Sequence, residues 1–365
     1  MLILTNNVIL LIFIIYICLI FFSALGVKLN SRGIDNFTGF MSVLLFAMLI
    51  FSRTGLGVDE STYLESYQNY LKTGDLDFEY GVKFLFLCLK ILGVNEASFN
   101  TMLPLIILAV LYFTVNTAVK NPFRSFVLIF TMFSSLFLDF SFNAYRQGLS
   151  FWFVLLSIES LLAGSRKRFL IYFIIGLGFH WSAAIVIVML FLTRFLSIRG
   201  AIYTNVILMF VMLIAAVTPL HILSMLATVI QYATFNSLYA QKIIFYLTTI
   251  KSSFYDLNFF GRAPLILYSL ILMALLFLYR KYIPRLQFKL LVILLGYSIL
   301  LLEMSYSFRN FYWVLPFTPF IMARIMGYYV TRKKLMLIFT SFSLGLWALS
   351  IAGFFSFPIL FMIFQ

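Results

Sequence analysis

The chain has 365 residues, of which 63% are hydrophobic and only 10% charged, and phenylalanine alone fills 45 positions. That composition excludes a water-soluble globular enzyme. The net charge of +14 does not mark a nucleic-acid partner, because much of the excess falls in short loops between apolar runs, where the positive-inside rule puts it. Cys18 and Cys88 lie inside apolar runs without disulfide or metal spacing and read as small hydrophobes.

Apolar runs able to cross roughly 30 Å of hydrocarbon, at about 20 residues each, recur along the whole sequence. The expected fold is therefore all-α, a polytopic integral membrane protein with one membrane domain over 1–365. The first run, 2–27, lacks a basic leader and a small-residue cleavage site and reads as a retained helix. A second span is expected at 34–52. Residues 53–97 read as an outer loop whose apolar stretch, 81–94, is too short and too lysine-bearing to cross and reads as re-entrant or interfacial. Spans are then expected at 98–119, 125–142, 147–163, 168–180, 182–197 and 203–222. A large outer loop, 223–263, precedes the last four, at 264–279, 287–306, 310–330 and 335–356.

Six basic clusters fix the orientation: Lys28 to Arg32, Lys120 to Arg124, Arg166 to Arg168, Arg194 to Arg199, Arg280 to Lys289 and Arg332 to Lys334. With all six in the cytoplasm the threading gives about twelve spans and puts both termini outside. The unusual polar residues then share the outer side. They are Arg53, Asp59 and Glu79 in the first loop, Asn143 to Gln147 at a tight turn, His180 at a helix break, and Arg262, Arg309 and Asn310 further on. An ionisable side chain costs several kcal/mol at a bilayer centre, and a lone arginine near a helix end snorkels to the headgroups. Several such residues at one face instead suit a water-filled cavity. Arginine is the preferred partner of phosphate oxygens, because its planar fork donates parallel hydrogen bonds and keeps its charge.

The succession SRTGLGVDESTY (52–63), Glu79-Tyr80-Gly81, NAYRQGLS (143–150) and GLGFHWSA (176–183) resembles the EpsG-like branch of bacterial Wzy-type polysaccharide polymerases. The resemblance is carried by residues 53 to about 192 and by the order of the motifs. It implies a GT-C-like enzyme of the bacterial inner membrane that extends O-antigen, capsule or exopolysaccharide chains at the outer face. The implied substrates are oligosaccharide repeat units on undecaprenyl pyrophosphate within the membrane lipid. The growing glycan joins the non-reducing end of the next unit, with a chain-length regulator and a flippase as partners.

For that chemistry the enzyme must stabilise charge on the leaving pyrophosphate and accept the acceptor-hydroxyl proton. Arg146 is the expected clamp, with Arg262 and Arg309 as further donors, and Gln147, Tyr145 and Asn143 as hydrogen-bonding groups for phosphate or sugar. His180 is the expected acid-base residue, since imidazole titrates near neutrality. Asp59 and Glu79 are rival bases or sugar ligands, and Asp59 is equally suited to pairing with Arg53 to fix the loop. Asp139 and Glu303, inside predicted helices, each call for an arginine such as Arg146 or Arg309. The 223–262 segment, rich in Tyr, Gln and Asn, reads either as a glycan-binding lid or as an interfacial helix pair. No cofactor is implied. Asp75-Leu76-Asp77 is a lone DxD, and arginine takes the place of a metal. A flippase or other transporter of lipid-linked oligosaccharide, an O-antigen ligase and a membrane O-acyltransferase are the alternatives.

Overall fold

The structure is a computed structural model that describes residues 2–57, 59–76, 78–220, 254–304 and 306–328. Among them every regular element is helical. Four helices are long and apolar enough to cross a membrane: Arg32–Ser52, Glu96–Ala118, Ile198–Val217 and Gly261–Leu278. The pair Arg124–Met132 and Ser135–Phe142, bent by 69°, makes a fifth if counted as one broken span. The chain is thus a polytopic membrane protein with four or five candidate spans among the described residues, where about twelve spans are expected over the whole sequence. The expected 335–356 helix lies outside the described residues.

The described chain divides into two compact units, 2–185 with 319–328, and 186–318. In the first, α1 (Leu2–Lys28) and α2 (Arg32–Ser52) meet at a short turn where Ser31 caps α2 by accepting from Ile34 N–H. Asp35, fully buried in the first turn of α2, accepts from the N–H groups of Arg124 (3.3 Å) and Ser125 (2.9 Å). A carboxylate therefore caps α6 (Arg124–Met132), whose own N-cap residue makes no side-chain hydrogen bond. After α6 the chain breaks, and Ser134 accepts from Phe137 N–H to begin α7 (Ser135–Phe142). The straight helix expected at 125–142 is thus two short buried ones. A broken helix is tolerated at membrane depth when protein surrounds it.

The expected loop 53–80 holds a second departure, the helix α3 (Glu60–Thr73). Its buried residues are Glu60, Tyr63, Tyr67 and Tyr70, spaced three, four and three apart, which puts all four on one helical face. Tyr67 stacks on Phe99 at 4.5 Å between ring centroids and donates to Val94 O. This ties α3 to α5 (Glu96–Ala118) and to the turn after α4 (Tyr80–Ile91), the short helix of the expected re-entrant segment.

The core of this unit surrounds α8 (Tyr145–Leu162), which is buried on nearly every side around the fully enclosed Trp152. Close backbone approach fixes the helices around α8. Ser150 donates to Gly176 O at 2.7 Å, locking α8 to α9 (Arg166–Phe179). A Cβ on Gly81 would sit 2.6 Å from the carbonyl of Gly178, so α4 touches α9 main chain to main chain. Likewise a Cβ on Gly57 would overlap the Phe142 carbonyl oxygen, which seats Gly57 on the end of α7.

In the second unit, α11 (Ile198–Val217) packs with α12 (Phe259–Leu278) and α13 (Arg285–Leu300). The helix expected from 264 begins at Phe259, because Asn258 caps it by accepting from Gly261 N–H, and Pro264 is accommodated inside it. The helix expected over 310–330 is broken into α14 (Phe308–Phe311), a 3₁₀ turn at Leu315–Phe317 and α15 (Thr318–Tyr328). The predicted 182–197 helix is a 3₁₀ turn, Trp181–Ala183, followed by α10 (Ala184–Leu192). Of the expected 223–263 loop, residues 223–253 lie outside the described residues.

The glycine contacts give a direct test. Gly81→Ala should lower stability by ~1–3 kcal/mol, the usual range for overpacking, read as a fall in thermal unfolding temperature in detergent. Gly33→Ala, where the nearest atom to a new Cβ is the Ser31 hydroxyl at 3.9 Å, should be neutral or stabilising by up to ~1 kcal/mol.

Candidate functional site

The main-chain contact of Gly81 with Gly178 carries a polar consequence, because each glycine lies two residues from an ionisable side chain. Glu79 is the N-cap of α4 and His180 the C-cap of α9. Glu79 Oε1 lies 3.2 Å from His180 Nδ1 and accepts from Trp181 N–H at 3.4 Å. Glu79 Oε2 accepts from Arg146 Nη1 at 2.7 Å. One carboxylate thus joins the end of α9 to the first turn of α8.

Exposure separates the three. The Glu79 side chain is 6% exposed, whereas Arg146 and His180 are 29% and 28% exposed. The carboxylate lies beneath, and the cation and the imidazole reach solvent. The Arg146 guanidinium lies 4.4 Å from the Phe78 ring centroid and 6.0 Å from that of Tyr63, and its Nε–H donates to the Tyr63 hydroxyl at 3.4 Å. Burial opposes the Glu79 charge. Hydrogen bonds from His180 and from its own amide, with the Arg146 charge, outweigh that and hold its pKa at about 2. An ionised carboxylate only accepts, so Nδ1 of His180 carries a proton, and in the neutral tautomer the lone pair lies on Nε2.

A second carboxylate lies below. Glu60, completely buried, accepts from Arg53 Nη1 at 2.7 and 2.8 Å, from Gly57 N–H at 2.6 Å and from the Tyr145 hydroxyl. Arg53 also donates to Asn100 O and lies 5.2 Å from the Phe142 ring centroid. Burial pushes the Glu60 carboxyl up, and Arg53, Tyr145 and Gly57 pull it back only in part.

The partner of Arg53 is Glu60, the residue after the expected Asp59. The Asp59 N–H donates to Asn143 Oδ1 at 2.9 Å, and Asn143 Nδ2 donates to Asp139 at 3.0 Å. Arg146, the expected partner for Asp139, is bound by Glu79 instead. Asn143, Tyr145 and Gln147 are all buried. Arg262 and Arg309 belong to the other unit, where their guanidinium groups lie 5.7 Å from the ring centroid of Phe254 and 5.2 Å from that of Tyr306. Glu60, Tyr63 and Phe78 are absent from the sequence-derived candidates. The tyrosine spacing after Glu60 was the available signal. Asp77 lies outside the described residues, and among those described no three His, Cys, Asp or Glu side chains cluster as a metal site needs.

The model of a protein family described as the EpsG family matches residues 36–359. No curated protein and no solved structure matches the chain.

Glu60→Ala strands a buried arginine and should cost ~3–5 kcal/mol, whereas the double variant Arg53→Leu/Glu60→Leu should recover part of that loss in the same unfolding assay. For Glu79 the sign follows from a pKa lowered from 4.5 to about 2. Its contribution to stability is complete above pH 4.5 and is lost as pH falls through about 2. The stability gap between wild type and Glu79→Gln should therefore narrow over that window, and a gap independent of pH would contradict the pairing.

Proposed function

The chain belongs to the EpsG family, membrane proteins of polysaccharide biosynthesis, and we propose that it is a polysaccharide polymerase. It transfers a growing glycan from undecaprenyl pyrophosphate to the non-reducing end of an incoming lipid-linked repeat unit, at the outer face of the bacterial cytoplasmic membrane. The observation that carries this reading is one buried carboxylate, Glu79, holding a partly exposed arginine and a partly exposed histidine side by side.

In the transfer, the acceptor oxygen bonds to the anomeric carbon of the donor while the bond from that carbon to the phosphate oxygen breaks. The electron pair leaves with the pyrophosphate. Charge therefore develops on phosphate as a proton is lost from the acceptor hydroxyl. Arg146 meets the first need, since Nη1 serves Glu79 and Nε serves Tyr63 while Nη2 remains as a donor to phosphate oxygens. It stands in the first turn of an 18-residue helix that lacks a side-chain cap and any first-turn acid, so the helix end adds positive potential. His180 meets the second through Nε2, with Glu79 fixing its tautomer and stabilising the imidazolium that forms. Arg53, Asn143 and Tyr145 act in this mechanism by holding the turn that presents Arg146.

The test is elongation of a lipid-linked repeat unit by purified protein, read as longer glycans still attached to lipid. Arg146→Ala and His180→Ala should each slow elongation by about 10²–10⁴-fold, His180→Ala while retaining donor binding. Asp59→Asn should leave most activity. Undiminished elongation in both Arg146→Ala and His180→Ala refutes the assignment. Movement of the unit across vesicles without elongation would make the protein a transporter.

A further inference from the structure

The second unit contains a cavity lined by none of the residues gathered around Glu79. It has a volume of 320 Å³ and is lined by Ile198, Arg280, Lys281, Ile283, Arg285 and Phe288. Its position follows from its lining. Ile198 opens the candidate span Ile198–Val217, and Arg280 lies just past the end of the candidate span Gly261–Leu278. The cavity therefore lies where hydrocarbon gives way to water.

Its walls combine two chemistries. Arg280, Lys281 and Arg285 are all exposed, and among the described residues no carboxylate pairs with any of them. Arg280 is fixed from one side, donating from Nη1 to Phe277 O at 2.8 Å. Arg285 begins α13, a 16-residue helix whose N-cap, Pro284, provides no side-chain acceptor. Ile283 and Phe288 are buried and form an apolar floor. A nearby lysine has a different role. Lys289 Nζ donates to Thr193 O at 2.7 Å and Leu196 O at 3.0 Å, which anchors the turn leading to Ile198. Three cations thus face one concavity while the fourth builds it.

We propose that this cavity binds a phosphate ester, and specifically the phosphodiester headgroup of an anionic phospholipid. Cations at a membrane boundary attract anionic headgroups, and a phosphate oxygen accepts from arginine and lysine together. The apolar floor favours a lipid over a free anion, since it gives the glycerol and first acyl carbons somewhere dry to lie.

The full chain, reconstituted in phosphatidylcholine with and without phosphatidylglycerol, provides the measurement, with retained lipid counted by native mass spectrometry and stability followed by thermal unfolding. Wild type should retain phosphatidylglycerol selectively. Arg280→Gln/Lys281→Gln/Arg285→Gln should lose that preference, by about fivefold for each cation removed. Arg166→Gln/Lys167→Gln/Arg168→Gln, at a basic cluster of the other unit, should keep it. Equal loss in both triple variants would mean diffuse basic charge and overturn the proposal. Lys281→Gln alone should show a partial loss if the triple variant folds poorly, and an unchanged preference there is likewise contrary. Glycerol phosphate added in detergent separates the sources. Protection that depends on the three cations and equals that of the lipid supports the phosphate site and assigns it a soluble ester, while no cation-dependent shift with either ligand overturns it.

Discussion

Glu79 is a carboxylate almost wholly removed from water and still ionised, and the arrangement around it follows from that constraint. Taking such a charge out of solvent costs several kcal/mol unless donors surround it. Here the donors come from the first turn of one helix and the end of another, so satisfying the charge also assembles the two helix ends. The residues it gathers are the ones with chemistry to offer. Arginine holds anions without losing its proton, and a histidine bound at Nδ1 has a basic nitrogen free for a proton.

Glu60 imposes the same constraint at a deeper level. Arg53, Gly57 and Tyr145 all converge on it, so the first motif of the sequence and the third are joined through the residue that opens the buried face of α3. Tyr145 is the neighbour of Arg146. The deep carboxylate therefore sets the start of α8, and the shallower one sets the direction of the arginine that follows. Burial has opposite outcomes at the two. At Glu79 the donors outweigh it and the acid stays charged, whereas at Glu60 burial dominates and raises the carboxyl.

Much of this was legible in the sequence, and what was missed has physical causes. Long apolar runs announce helices because hydrocarbon demands backbone satisfaction within each segment, and α2, α5 and α11 lie close to where they are expected. His180 at a break and Arg146 at a helix start were also readable, since a charge inside an apolar run needs a reason. Less legible was α3, because 53–80 is polar enough to pass for a loop and its stripe consists of tyrosines. The bend at Ser134 was hidden because both halves are mostly apolar and buried on every side, so hydropathy carries no phase information. Pairing was the least readable. Asp59 and Glu60 are adjacent, and the order of residues alone does not say which of the two faces Arg53.

The contact between Gly81 and Gly178 is made by main chain on both sides. Ordinary core positions have neighbours that can shrink when a residue grows, so damage at one position is repaired by a smaller side chain opposite. Here neither side has anything to trim. Genetic suppression of a change at Gly81 cannot come from its contact partner, and would have to arise from displacements of whole helices, which would also pull Glu79 away from His180. Restored stability and restored activity at this crossing would therefore be separable by selection.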